Sequence, residues 1–153
     1  LYRYGNDRAI HPDSEEEQVL HFQHDAYWTD NFGEVQVFDN GVQRELEDGQ
    51  SDYSSVLRFT LPVSPEGEWD MSQEPELVWS YNENGDQDLI GSFMSGAREL
   101  PNGNVIIVES QSNRILEVTS EGETVLDYVM PIPGRIFRIY KYDKDYAGLQ
   151  FDN

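Results

Sequence analysis

Short apolar runs separated by turn-forming residues dominate this chain. Val, Ile, Phe, Tyr and Trp recur in stretches of roughly four to eight, bounded by Gly, Asn, Asp, Ser and Pro, which is the signature of β-strands joined by turns. Helical periodicity is nearly absent. The pattern predicts strands at 19–28, 34–39, 54–61, 76–81, 93–100, 104–109, 113–119, 123–129 and 135–142. Asn102-Gly103, Gly33, Gly67 and Gly122 mark turns that need positive φ.

The pattern runs through the chain twice. FQHDAYWTDNFGEVQVFDNG, SSVLRFTL, GEW and PELVWSY are echoed by FMSGARELPNGNVIIVES, NRILEVTS, GE and TVLDYV. Phe22 falls on Phe93, Ala26 on Ala97, Val35 on Val105, Leu57 on Leu116 and Tyr81 on Tyr128, whereas His24 falls on Ser95. A repeat is its own control. What the fold requires should recur, so a histidine in one copy alone points to chemistry. Tandem four-stranded units of roughly 40–50 residues predict β-propeller blades. The division is a connecting segment over 1–18, a blade over 19–81 with polar insertions at 42–53 and 62–75, a second blade over 92–130, and a C-terminal strand and tail over 134–153. Two blades do not close a ring, which takes roughly four to eight. Either further N-terminal blades precede this chain or copies of it assemble; three copies would make a six-bladed ring.

Composition narrows the partners. The 153 residues suffice for one domain, and 37% hydrophobic with 12% aromatic residues argues for a packed core despite the charge. Thirty acidic against ten basic residues give a formal charge of −20, which repels nucleic acid and anionic membranes. An anionic ligand would need local positive charge. With no cysteine, disulfides and thiolate metal sites are excluded. No apolar run reaches the roughly 20 residues of a membrane span. The opening LYRYGNDR lacks a charged-then-apolar leader and reads as a mature chain or a piece of a longer one.

LYRYGN, FQHDAYW, VFDNG with Arg44, SSVLRF, LVWSY, ARELPNGNVIIVES, NRILEVTSEGETVLDY and IFRIYKYDKDYAGL together resemble the arylsulfotransferase family, the bacterial aryl-sulfate sulfotransferases and their relatives. The resemblance covers most of the chain and matches the C-terminal part of a six-bladed propeller. It implies transfer of a sulfuryl group from a phenolic ester to an acceptor phenol, without a nucleotide sulfate donor, through a transiently sulfated histidine in a central channel. His24 stands where that histidine would lie. The resemblance further implies periplasmic or extracellular location, with assisting histidines and an arginine supplied by earlier blades.

Each candidate residue has a plain structural alternative. His24 is the candidate nucleophile, or a packed strand histidine. Alternation along a regular strand turns Asp25, Gln23 and Tyr27 away from the His24 face, and leaves Phe22 and Ala26 on it. Ser95 and Arg98 are candidate substrate-binding residues, or respectively a small residue at a crowded axis and a surface residue. His21 reads as packing or solvated and His11 as exposed. The spacing of these histidines does not support shared metal coordination. Asp39-Asn40-Gly41 reads as a turn after the strand VQVF; together with Glu45, Asp48 and Asp52 it offers oxygens to calcium, or is a plain turn followed by a solvated acidic loop. Arg135 and Arg138 flank Phe137, one of them directed at a channel or both on a solvated edge. Trp28, Trp69 and Trp79 read as filling between blades, with phenol stacking the alternative. The rival to an enzyme is a non-catalytic binding scaffold.

Overall fold

The computed structural model describes residues 4–5, 18–44, 52–131 and 133–149. Eight strands form two four-stranded antiparallel sheets. The first holds β1 (His24–Trp28), β2 (Glu34–Asp39), β3 (Ser55–Thr60) and β4 (Glu76–Tyr81) in that spatial order. The second holds β5 (Gly96–Glu99), β6 (Val105–Glu109), β7 (Arg114–Val118) and β8 (Thr124–Val129) in the same order. Among the described residues the only helix is a 3-10 turn at Ala147–Leu149, and none is long and apolar enough to cross a membrane.

The internal repeat is visible down to its irregularities. Val56 pairs with Tyr81 as Ile115 pairs with Tyr128. The β3–β4 ladder slips between Arg58 and Phe59, and the β7–β8 ladder slips between Glu117 and Val118, the matching position. A bulge that recurs at one register is a feature of the unit.

The sheets pack face to face through the main core. Phe38, Val56 and Tyr81 of the first sheet meet Ala97, Val105, Ile107, Leu116 and Val118 of the second, with Leu89 of the connection between them. Val37, Leu57 and Phe59, the first-copy counterparts of Ile107, Leu116 and Val118, lie on the opposite face of the first sheet, under Tyr4, Leu20 and Leu61. Val108 and Ile115, the counterparts of Phe38 and Val56, lie on the outer face of the second sheet with Leu100 and Ile106. The two units therefore stack head to tail, each offering an unlike face to the other, and this relation does not close on itself in two steps. Neither sheet closes, and no ring forms within the described residues.

One predicted strand is absent. Residues 135–142 form no ladder. The segment lies on the outer face of the second sheet, where Ile136 and Ile139 pack on the Leu100, Ile106, Val108 and Ile115 cluster and Lys141 pairs with Glu117. Ile136 and Ile139 are three apart, and a regular strand would send them to opposite faces. Burying both on one apolar face requires a backbone that is not a strand. The remaining eight predicted strands form, most with ends trimmed by one to three residues; the first of them, 19–28, starts five residues later than predicted.

Ile107 is fully buried between the sheets. Ile107→Ala is expected to lower unfolding free energy by about 3 kcal/mol, from lost transfer plus a residual cavity. Leu126→Ala, on the exposed outer strand β8, should change it by less than about 1 kcal/mol. Urea denaturation of both variants checks this.

Candidate functional site

The backbone around His24 is irregular. His24 pairs with Phe38 and Tyr27 with Gln36, with a register shift between them. Phe38 and Gln36 share a face of β2, so His24 and Tyr27, three apart, share one too. A regular strand forbids this; the bulge permits it. The alternation rule therefore fails here. Phe22 and Asp25 adopt left-handed backbone, at φ 59° and 55°. For non-glycine residues each such conformation costs about 1–2 kcal/mol, and it persists only where surrounding contacts enforce it.

At Asp25 those contacts are ionic. Arg98 grips the carboxylate with two bonds, Nη1 to Oδ2 at 2.7 Å and Nη2 to Oδ1 at 2.6 Å, and Arg138 Nη2 reaches Oδ1 at 2.6 Å. The Asp25 side chain is only 3% exposed. It lies against Gly96, where a side-chain carbon would overlap Oδ2. Gly96 and Arg98 pair with Val108 and Ile106, so Asp25 of the first sheet reaches around β5 to the far face of the second. There it meets the C-terminal segment through Arg138. One carboxylate joins β1, β5 and that segment, and two guanidiniums on one carboxylate leave a net positive charge in a strongly acidic chain. The Arg98 guanidinium also lies 4.0 Å from the centre of the Tyr27 ring, and the Glu99 amide donates to the Tyr27 hydroxyl at 2.8 Å. Burial pushes the Tyr27 hydroxyl up from its ordinary value, opposed by the Glu99 amide and the Arg98 charge.

His24 itself is half-buried. Its Nδ1 lies 2.6 Å from Asn40 Oδ1 and 3.1 Å from the Phe22 carbonyl. Asn40 is buried; its amide nitrogen donates to the carbonyls of Gly91 and Met94, and its own carbonyl accepts from the Ser54 hydroxyl at 2.9 Å. Asp25 has no contact with His24 among these bonds. The partner of the imidazole is Asn40, which sequence reasoning assigned to a turn.

The expected substrate residues are placed differently from His24. Ser95 is 1% exposed, and its hydroxyl accepts from the Ser110 amide at 3.1 Å. Arg98 is occupied by Asp25. His21 is buried and its amide donates to Asp39 Oδ1 at 2.6 Å; His11 lies outside the described residues. Asp39 is fully buried and also takes Arg44 Nη2 at 2.6 Å. Burial pushes the Asp39 carboxyl up, opposed by the His21 amide and the Arg44 charge. Glu45 and Asp48 lie outside the described residues, and among those described no three metal-type ligands gather. Trp79 lies between the sheets, donating to the Ser120 carbonyl at 2.8 Å under Arg58, whereas Trp28 and Trp69 are exposed rather than filling. Arg135 stacks over Phe93, 4.6 Å from the ring centre. Surface clefts beside Trp69, beside Tyr53 and between Thr29 and Pro101 are lined without His24.

Gly96→Ala is expected to evict the Asp25 carboxylate, and Asp25→Asn to leave Arg98 facing an uncharged partner. Each should cost about 3 kcal/mol, the scale for breaking one side of a buried pair. Arg138→Gln should cost less than either, because Arg138 is exposed and its charge is screened by solvent. Thermal and urea melts of the three variants measure the order.

No protein-family model matches the chain, and neither a curated protein nor a solved structure matches it.

Proposed function

We propose that this chain supplies two blades and the nucleophile of an arylsulfotransferase-type propeller, which moves a sulfuryl group between phenols through a sulfated His24. The observation that carries this reading is the asymmetry of the repeat. The second copy buries Ser95 and uses its hydroxyl on a backbone amide. The first copy keeps an imidazole half-exposed in the matching place, with one ring nitrogen bonded.

The chemistry balances without a cofactor. The His24 Nε2 lone pair attacks the ester sulfur, an N–S bond forms, the sulfur–aryl-oxygen bond breaks, and the phenolate leaves to take a proton. The acceptor phenol oxygen then attacks the same sulfur, the N–S bond breaks, and the acceptor proton passes to water or a base. Splitting one transfer into two is the gain from a covalent intermediate. Head-to-tail stacking of the sheets supports a radial arrangement with β1 and β5 innermost. The donor pocket is then completed by further blades, from a longer polypeptide or from other copies; the clefts beside Trp69, beside Tyr53 and between Thr29 and Pro101 do not include His24.

A second reading, a binding scaffold without catalysis, is favoured by one observation: Ser95 and Arg98 are both engaged in internal contacts. Transfer from 4-nitrophenyl sulfate to a phenol, assayed on the full polypeptide that contains this chain, separates the two. The enzyme reading expects transfer and an SO3 adduct on His24 by mass spectrometry, with His24→Ala falling below about a thousandth of the parent rate. Undiminished transfer in His24→Ala removes His24 from the mechanism.

A further inference from the structure

We propose that Asn40 is a positioning residue that holds His24 in the Nδ1–H tautomer and so makes Nε2 its reactive nitrogen. The inference rests on the reading of His24 as a nucleophile and adds how that nucleophile is prepared. The Asn40 side chain is a buried amide. Its nitrogen faces the carbonyl oxygens of Gly91 and Met94, which are acceptors only. The reverse orientation would set the Asn40 oxygen against both, so its Oδ1 must face the imidazole. Oδ1 is likewise an acceptor only, and so is the Phe22 carbonyl at 3.1 Å. Nδ1 stands before both and must carry the proton. A neutral imidazole has one N–H, so Nε2 keeps its lone pair. Free histidine in water favours the opposite tautomer.

The two copies also differ here as a pair. Asn40 and His24 correspond to Ser110 and Ser95, and those serines are themselves bonded, the Ser110 amide donating to the Ser95 hydroxyl. The contact between these two positions is therefore part of the unit, and only the first copy uses it to orient an imidazole. Gly91 and Met94 belong to the connection that leads into the second sheet. Asn40 is thus aimed by backbone that is in place only when the two sheets are docked, which links the prepared state of His24 to that packing.

Long-range proton–nitrogen NMR of the nitrogen-15-labelled chain, recorded near pH 8 where an ordinary histidine is neutral, reads the tautomer directly. His24→Gln identifies the signals. The expected result is a protonated Nδ1 and a bare Nε2 at His24. An Nε2–H tautomer in the wild-type chain overturns the proposal. Asn40→Ser installs the residue found at position 110 and removes the anchored acceptor. It should convert His24 to a mixture of tautomers while the amide spectrum of both sheets is kept, and an unchanged tautomer in that variant also overturns the proposal. Should the variant fail to fold, the wild-type spectrum still decides. In the full polypeptide, Asn40→Ser should slow transfer by about 10–100-fold, the scale for losing a partner that orients a ligating or reacting histidine. The tautomer is read without any transfer assay. An Nδ1–H imidazole in a protein that moves no sulfuryl group would sink the proposed function and leave this role standing.

Discussion

The site depends on one carboxylate being held where the backbone would not otherwise go. Asp25 sits in a left-handed conformation that its side chain disfavours, and the bidentate Arg98 contact together with Arg138 holds it there. The absence of a side chain at Gly96 provides the room. The resulting bulge sets the face on which His24 emerges. Without it, the ladder of β1 on β2 would run in simple alternation, and His24 and Tyr27 would point to opposite sides of the first sheet. A pair of guanidiniums from the second sheet and the C-terminal segment thus fixes the direction of a ring on the first.

That dependence explains what the sequence made legible. Strand positions were readable because turn residues punctuate the chain at every junction, and because the repeat doubled each signal. The repeat also carried the face assignments, since Val37 and Ile107, or Phe38 and Val108, keep equivalent places in successive sheets. Failures cluster where apolar or functional residues are spaced by three. Ile136 and Ile139 share an apolar face and cannot do so from a regular strand. His24 and Tyr27 share a face only through a bulge. Alternation is a rule about regular backbone, and both sites are irregular because tertiary contacts outweigh it.

The role of Asn40 was hidden for a different reason. Asp-Asn-Gly after a strand is a strong turn signal, but Asp39 ends β2 and the turn itself runs from Gly41 to Arg44, whose amide donates to the Gly41 carbonyl. What the local pattern lacked is that the buried amide has its donors used by a segment some fifty residues away. One signal was available. Positions 24 and 40 change together to serines at 95 and 110, and paired change between copies of a repeat marks contact.

The acidity of the chain bears on the proposed chemistry through distance. An aryl sulfate is an anion, and a surface charge of this size repels it from afar. At physiological ionic strength that repulsion decays over roughly 8 Å, whereas a guanidinium within contact range of its ligand is barely screened. What matters at the reacting centre is therefore the local count. Asp25 neutralises one arginine and leaves the charge of a second, the more exposed Arg138, on the far face of the second sheet, where no hydrogen bond among the described residues joins it to His24. A neutral imidazole is the stronger nucleophile when its own proton is parked on the nitrogen facing away from the sulfur, and the Asn40 amide holds it there. The two devices are separable. One gathers positive charge where the chain is otherwise repulsive, and the other selects which nitrogen is free to react.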